Sequence, residues 1–138
     1  MDIKSKTDAF CVLYELDKNG QKKRLDSTEM IADNLNPEFV KEIMVDYHFE
    51  AQQNMVIEIY DADDALNIHD LSKQQYIGSY SFKLGKLISA KNQEMESEIE
   101  LWNKESNLKS KIKLMAFEKK TDFGKMVTKF KASVCFPL

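Results

Sequence analysis

The chain has 138 residues, 43% hydrophobic and 31% charged, which suits one compact domain with a real core and a solvated surface. Its formal net charge of -3 offers nothing global to hold a nucleic acid. No apolar run approaches the ~20 residues that cross a bilayer, and the N-terminus has no apolar signal-type segment, so a cytoplasmic chain is expected.

Residues 9–16 are apolar and aromatic and read as a first strand. Asp17-Lys18-Asn19-Gly20 follows, and Asn-Gly favours a tight hairpin turn. Residues 24–32 form a second, weaker strand, ended by Asn34-Leu35-Asn36-Pro37. Pro37 lacks an N–H and disfavours a helical Asn36. Residues 39–45 and 55–60 are strands three and four. Residues 76–84 alternate as Tyr76, Gly78, Tyr80, Phe82, Leu84, and residues 84–90 suit one helical turn. Residues 98–102 form a sixth strand.

Along residues 109–117, Lys109, Lys111 and Lys113 alternate with Ile112, Leu114 and Ala116, so one face is solvated and the other buried. Residues 126–136 alternate as well, with Phe130, Ala132, Val134 and Phe136 on one side. The pattern predicts an all-β, eight-stranded antiparallel β-sandwich. One domain over 1–138 is expected, with its core in 2–117 and its weakest joint at Thr121-Asp122-Phe123-Gly124. Cys11 and Cys135 both sit in apolar runs and read as reduced core thiols.

The fourth strand stops in Tyr60-Asp61-Ala62-Asp63-Asp64, and Asp2 and Asp8 flank a short polar stretch at the other end of the chain. Carboxylates are poor strand residues, and clustered ones repel each other. A hard cation with a demand for oxygen ligands resolves that conflict, and Ca²⁺ is the natural one. The competing reading is a solvated, turn-rich end, because Asp is common in turns. Lys109, Lys111 and Lys113 are either a solvated sheet face or a patch for phosphatidylserine or a phosphoinositide. His48 and His69 lack metal-ligand spacing. The sequence has no nucleophile elbow, phosphate loop or His-based triad, so no enzymatic activity is expected.

Several segments together resemble the C2 domain family, copines especially. Ser5-Lys6-Thr7-Asp8-Ala9-Phe10 is similar to the Ser-Lys-Ser-Asp-Pro-Phe of that family. Asn34-Leu35-Asn36-Pro37-Glu38-Phe39 is similar to its Leu-Asn-Pro-x-Phe/Trp signature. Asp46-Tyr47-His48-Phe49-Glu50 resembles a copine Asp-Tyr-Tyr-Phe-Glu stretch, and Tyr60-Asp61-Ala62-Asp63 matches the Tyr-Asp-x-Asp of the third calcium loop. Gln75-Tyr76-Ile77-Gly78 stands where the family has Asp-Phe-Leu-Gly.

The resemblance implies an eight-stranded sandwich with calcium loops at one end, and reversible docking on an anionic phospholipid membrane surface when calcium rises. In that arrangement Asp8 and Asp61 bridge Ca²⁺, Asp2 and Asp63 close the sides, and the Ala62 carbonyl adds a neutral oxygen. Gln75 supplies an amide where the family has a last Asp, and Asp70 or Asp64 compensates from the longer loop. Ile3 in the first loop, with Ala65, Leu66, Ile68 and Leu71 in the third, supplies apolar contact with the bilayer, unless Leu66 and Leu71 fold back onto the sandwich. The rival function is a calcium-independent protein-interaction module that keeps the sandwich without the metal. The family's opening strand has no counterpart before Asp2. Either the strand at 126–136 fills its slot, or that segment starts a second module.

Overall fold

The structure, a computed structural model, describes residues 7–48, 51–101, 110–120 and 126–135. Two antiparallel sheets face each other. The first runs in the order β2 (Lys22–Ser27), β1 (Ala9–Leu16), β4 (Asn54–Asp61), β5 (Gln75–Lys83), β7 (Glu100–Leu101). The second runs β3 (Ile43–Asp46), β9 (Met126–Cys135), β8 (Lys111–Lys120), β6 (Glu94–Glu98). The expected β-sandwich is therefore present. β9 is an inner strand of the second sheet, paired with β3 on one side and β8 on the other.

Alternation explains the packing. From β1, Ala9, Cys11 and Leu13 point into the main core, where they meet Met55, Ile57 and Ile59 of β4 and Ile112, Leu114 and Ala116 of β8. Phe10, Val12 and Tyr14 point the other way and are still buried, together with Tyr60, under Ile68 and Leu71 from the loop after β4. β1 thus reads as a continuous apolar run because both of its faces are covered. A short helix, α1 (Leu84–Ser89), plugs one end of the core with Leu84 and Leu87. No helix is long and apolar enough to cross a membrane, among the described residues.

The structure adjusts several sequence expectations. Nine strands are present among the described residues, because the strand expected at 98–102 is two short ones in different sheets. β6 pairs with β8, the chain crosses over at Ile99, and β7 pairs with β5. The segment 94–98 was hidden by its acid content, since Glu94, Glu96 and Glu98 are poor strand formers. They are held opposite Met115, Lys113 and Lys111.

The second strand ends at Ser27 rather than 32. There the Thr28 hydroxyl accepts the Cys11 N–H at 2.8 Å, replacing a ladder bond. The third strand begins at Ile43 rather than 39, because the Glu29 carboxylate accepts the N–H groups of Val40 and Lys41 at 2.7 and 3.3 Å. The expected hairpin turn is present, with Gly20 at φ 78° and its N–H donating to the Asp17 carbonyl at 3.0 Å. Cys11 is a core thiol, pushed well above its ordinary pKa by burial. Cys135 is exposed instead, because inward-facing Val134 takes the core position beside it. The joint expected at 121–124 lies outside the described residues.

Candidate functional site at the acidic end

The register of β1 against β4 sets the site. Ala9 pairs with Asp61, so Asp8 and Asp61 lie at the same end of the first sheet. The Asp8 N–H donates to Asp61 Oδ1 at 3.0 Å, and the Ala62 N–H donates back to the Asp8 carbonyl at 2.9 Å. The Asp8 carboxylate in turn accepts the Asp33 N–H at 2.8 Å. Asp33 has φ 51°, a left-handed conformation that short polar residues tolerate. The loop carrying the Leu35-Asn36-Pro37 motif is tied to the same place by the Asn34 N–H on the Thr7 carbonyl at 3.0 Å.

Asp61 feels the acids beside it. Burial pushes the Asp61 carboxyl above its ordinary pKa, and the Asp8 N–H pulls it partly back. The charges of Asp63 and Asp8 then push it up again. Three acids from two distant segments therefore share one field. Gln75 pairs with Asp61 across β4 and β5, which puts an amide beside the acids. Asp2 of the expected ligand set and Ile3 of the expected lipid contacts lie outside the described residues.

The loop between β4 and β5 contains two 3-10 turns, Ala65–Asn67 and Leu71–Lys73. Asp70 is spent on capping the second. Its Oδ1 accepts the Ser72 hydroxyl at 2.6 Å and the Ser72 N–H at 3.2 Å, which holds its carboxyl below the usual range. Leu66 is 97% exposed at the first turn. Ala62, Ile68 and Leu71 are only partly exposed and pack on the outer cluster of Phe10, Val12, Tyr14 and Tyr60. The Arg24 guanidinium donates to the His69 carbonyl at 3.3 Å, which ties the loop down on β2.

Beneath the loop, Glu58 is 7% exposed yet fully engaged. It accepts Lys22 Nζ at 2.6 Å and the Tyr60 hydroxyl at 2.7 Å. Lys22 lies over the Tyr14 ring at 4.8 Å, and Tyr60 stacks on Phe10 with ring centroids 5.5 Å apart. Burial and then Glu58 raise the Tyr60 pKa far above its ordinary value. A buried carboxylate with a paired cation and a hydroxyl donor is a satisfied group, so this network supports the loop.

Gln74 is a part of the site that sequence reasoning passed over. It is 8% exposed and sits at the base of the loop. Its Oε1 accepts the N–H groups of Asp63 and Asp64 at 2.9 and 3.0 Å. Its Nε2 faces the carbonyls of Asp64, Asn67 and Asp70 at 2.9, 2.9 and 3.3 Å. Its signal in the sequence is two adjacent glutamines directly before an apolar strand, of which only Gln75 stands at a position of the family motif.

Two of the three lysines of the expected patch are described. Lys109 lies outside the described residues. Lys111 and Lys113 face Glu98 and Glu96 across the β6–β8 pair, and Lys113 Nζ lies 3.5 Å from Glu94 Oε2. The basic stripe is matched there by an acidic one on the next strand.

Whether the acidic end fits a cation is a question of donor chemistry. Asp8, Asp61 and Asp63 offer only oxygen, as Ca²⁺ requires, and the Asp61 pKa is raised first by burial and then by the charges of Asp63 and Asp8. Among the described residues, no group of three or more acidic, histidine or cysteine side chains stands ready to hold a metal ion. One oxygen each of Asp8 and Asp61 is turned onto a backbone N–H. The chemistry fits, and the free oxygens of these groups are the ones a cation would recruit.

Comparison with known proteins agrees with the architecture. The family model for the C2 domain matches residues 1–114. Copine-B of Dictyostelium discoideum is 36% identical over 110 residues, covering 78% of this chain and 21% of that protein. Copine-E of the same organism is 36% identical over 112 residues, covering 77% and 18%. Nicotinic receptor-associated protein 1 of Caenorhabditis elegans is 31% identical over 105 residues, covering 64% and 17%. The chain thus spans about a fifth of the length of these curated relatives.

Proposed function

The chain belongs to the C2 domain family, and on that footing we propose that it docks reversibly on anionic phospholipid when Ca²⁺ gathers at its acidic end. The observation that supports this reading is the placement of Asp8 and Asp61 at one end of the first sheet, tied by the Asp8 N–H on Asp61 Oδ1 at 3.0 Å, with Asp63 two residues further on. Asp8, Asp61 and Asp63 would hold the ion, with the Ala62 carbonyl and the Gln75 amide as neutral donors and Asp2 from the N-terminal segment. The ion supplies positive charge where the metal-free end is negative, so repulsion from an anionic surface becomes attraction. Each net positive charge at such a surface is worth about 1 kcal/mol.

Leu66 is the apolar group poised to enter the bilayer, being 97% exposed beside the acids. Ile68 and Leu71 hold the loop to the sheet from below. The matched charges of Lys111 and Lys113 favour the loop end over the second sheet as the docking face. The same reading gives the domain no catalytic role and moves it from the cytoplasm to membranes as calcium rises.

Sedimentation with phosphatidylserine vesicles tests this. Binding should appear with calcium, vanish with chelator, and be weak on neutral phosphatidylcholine. The second reading, a calcium-independent protein-interaction module, is favoured by Gln75 in place of an acid and by the backbone bonds already made by Asp8 and Asp61. Binding to vesicles or to a protein partner that survives chelator would select it.

A further inference from the structure

We propose that Gln74 is the positioning residue that pre-forms the third loop, so that Asp63 faces Asp61 before any ion arrives; its bearing on calcium rests on the docking reading above. Asp61 at the end of β4 and Asp63, Asp64 and Asp70 in the loop after it repel one another. Ile68, Leu71 and the Arg24 bond hold that loop to the sheet from outside, and one buried amide answers its backbone from within.

The two ends of that amide do different work. Oε1 gathers the N–H groups of Asp63 and Asp64, which turns the chain sharply after Ala62. Nε2 gathers the carbonyls of Asp64, Asn67 and Asp70, which closes the two 3-10 turns on a common centre. An amide is the side chain that offers an acceptor and two donors without charge. A carboxylate at this position would lose the donors and add to the repulsion. A lysine would lose the acceptor. At 8% exposure the amide is shielded from competing water, so each bond holds better than on the surface.

Pre-forming the loop lowers the ordering cost that an incoming ion would otherwise meet. Gln74 itself has its oxygen committed to backbone N–H groups and is not a ligand in this scheme. Its neighbour Gln75, across from Asp61, is the amide placed to reach the ion.

Amide hydrogen exchange on the metal-free wild-type chain tests the first half directly. The Asp63 and Asp64 N–H groups should exchange at least about tenfold more slowly than in an unstructured chain, despite lying in an acidic surface loop. Exchange at the unstructured rate would overturn the proposal. The second half is tested with Gln74→Met, which keeps the volume and removes every hydrogen bond, and with Gln74→Ala.

Calcium titration should show affinity reduced about tenfold or more in both, with new exchange confined to residues 62–74 and the remaining amides protected. A Gln74→Met chain that binds calcium as the wild type does would sink the positioning role. A wild-type chain that binds no calcium would remove the docking reading alone, and the exchange result would still decide what Gln74 does. If either variant fails to fold, the wild-type exchange pattern remains decisive.

Discussion

The N–H of Asp8 meets the carboxylate of Asp61 at 3.0 Å across 53 positions of sequence, and that contact joins the two halves of the acidic end. It follows from strand pairing, because β1 and β4 are antiparallel neighbours with Ala9 opposite Asp61. An acid placed one residue before β1 and an acid on the last residue of β4 must therefore meet.

Asp61→Asn should separate stability from calcium binding. The amide keeps an oxygen for the Asp8 N–H and removes a charge that Asp63 and Asp8 repel. Metal-free melting at neutral pH should rise by about 2–4 °C, the shift expected for roughly 1 kcal/mol in a chain of this size. Calcium-dependent vesicle sedimentation should be lost.

The pH response of the metal-free chain follows from the same group. The folded state holds the Asp61 proton more tightly than the unfolded chain does, owing to burial first and the neighbouring acids after it. Its contribution to stability is therefore full below the unfolded value of about 3.9, and is lost as pH rises through the higher folded value. Asp61→Asn should flatten that part of a urea-unfolding profile. An unchanged profile would show that Asp61 does not feel its neighbours.

Leu66→Asp should weaken calcium-dependent vesicle binding by about tenfold or more, the loss expected when one leucine no longer enters an apolar phase. Thermal stability should not change, because Leu66 is 97% exposed. Wild-type-like sedimentation would remove Leu66 from the docking face.

Tyr60→Phe tests the support beneath the loop. It deletes the hydroxyl bond to Glu58 at 2.7 Å and should cost about 1.5–3 kcal/mol, as for other hydrogen bonds to a charged group. Because burial and Glu58 raise the folded Tyr60 pKa, the wild-type hydroxyl contributes fully below the unfolded value of about 10. That contribution is lost as pH rises past it. The variant should lose this alkaline decline in equilibrium unfolding.

Gly78→Ala should destabilise the sheet junction. A Cβ there would stand 2.6 Å from the Glu100 carbonyl oxygen and 2.8 Å from Ile99 Cγ2. The clash is with backbone at the point where β7 joins β5, so the neighbours must shift. Chemical unfolding should show a loss of about 1–3 kcal/mol, with calcium affinity little affected in the folded fraction.

Much of this fold was legible in residue order. The strands at β1, β4, β8 and β9 carry clean alternation or continuous apolar character, and Asn19-Gly20 announced its hairpin. The acids of the site were legible too, since a strand that ends in Asp61-Ala62-Asp63 violates strand preference visibly. Gln74 was not legible, because its value comes from five backbone groups that meet only after the loop has closed. The fate of Ile68 and Leu71 was also undetermined by pattern. An aliphatic residue in a loop reads alike whether it faces a bilayer or the flank of its own sheet. β6 escaped notice because its glutamates are stabilised by partners on another strand rather than by local preference.

The two thiols differ in a way that makes the chain report on its own opening. Cys135 is outward on β9 while Cys11 is sealed at the centre of β1. A maleimide added to the native protein should therefore mark one cysteine at once and the other only when the first sheet comes apart. The slow phase of that reaction is a clock for global unfolding, and calcium or vesicles that stabilise the native state should slow it.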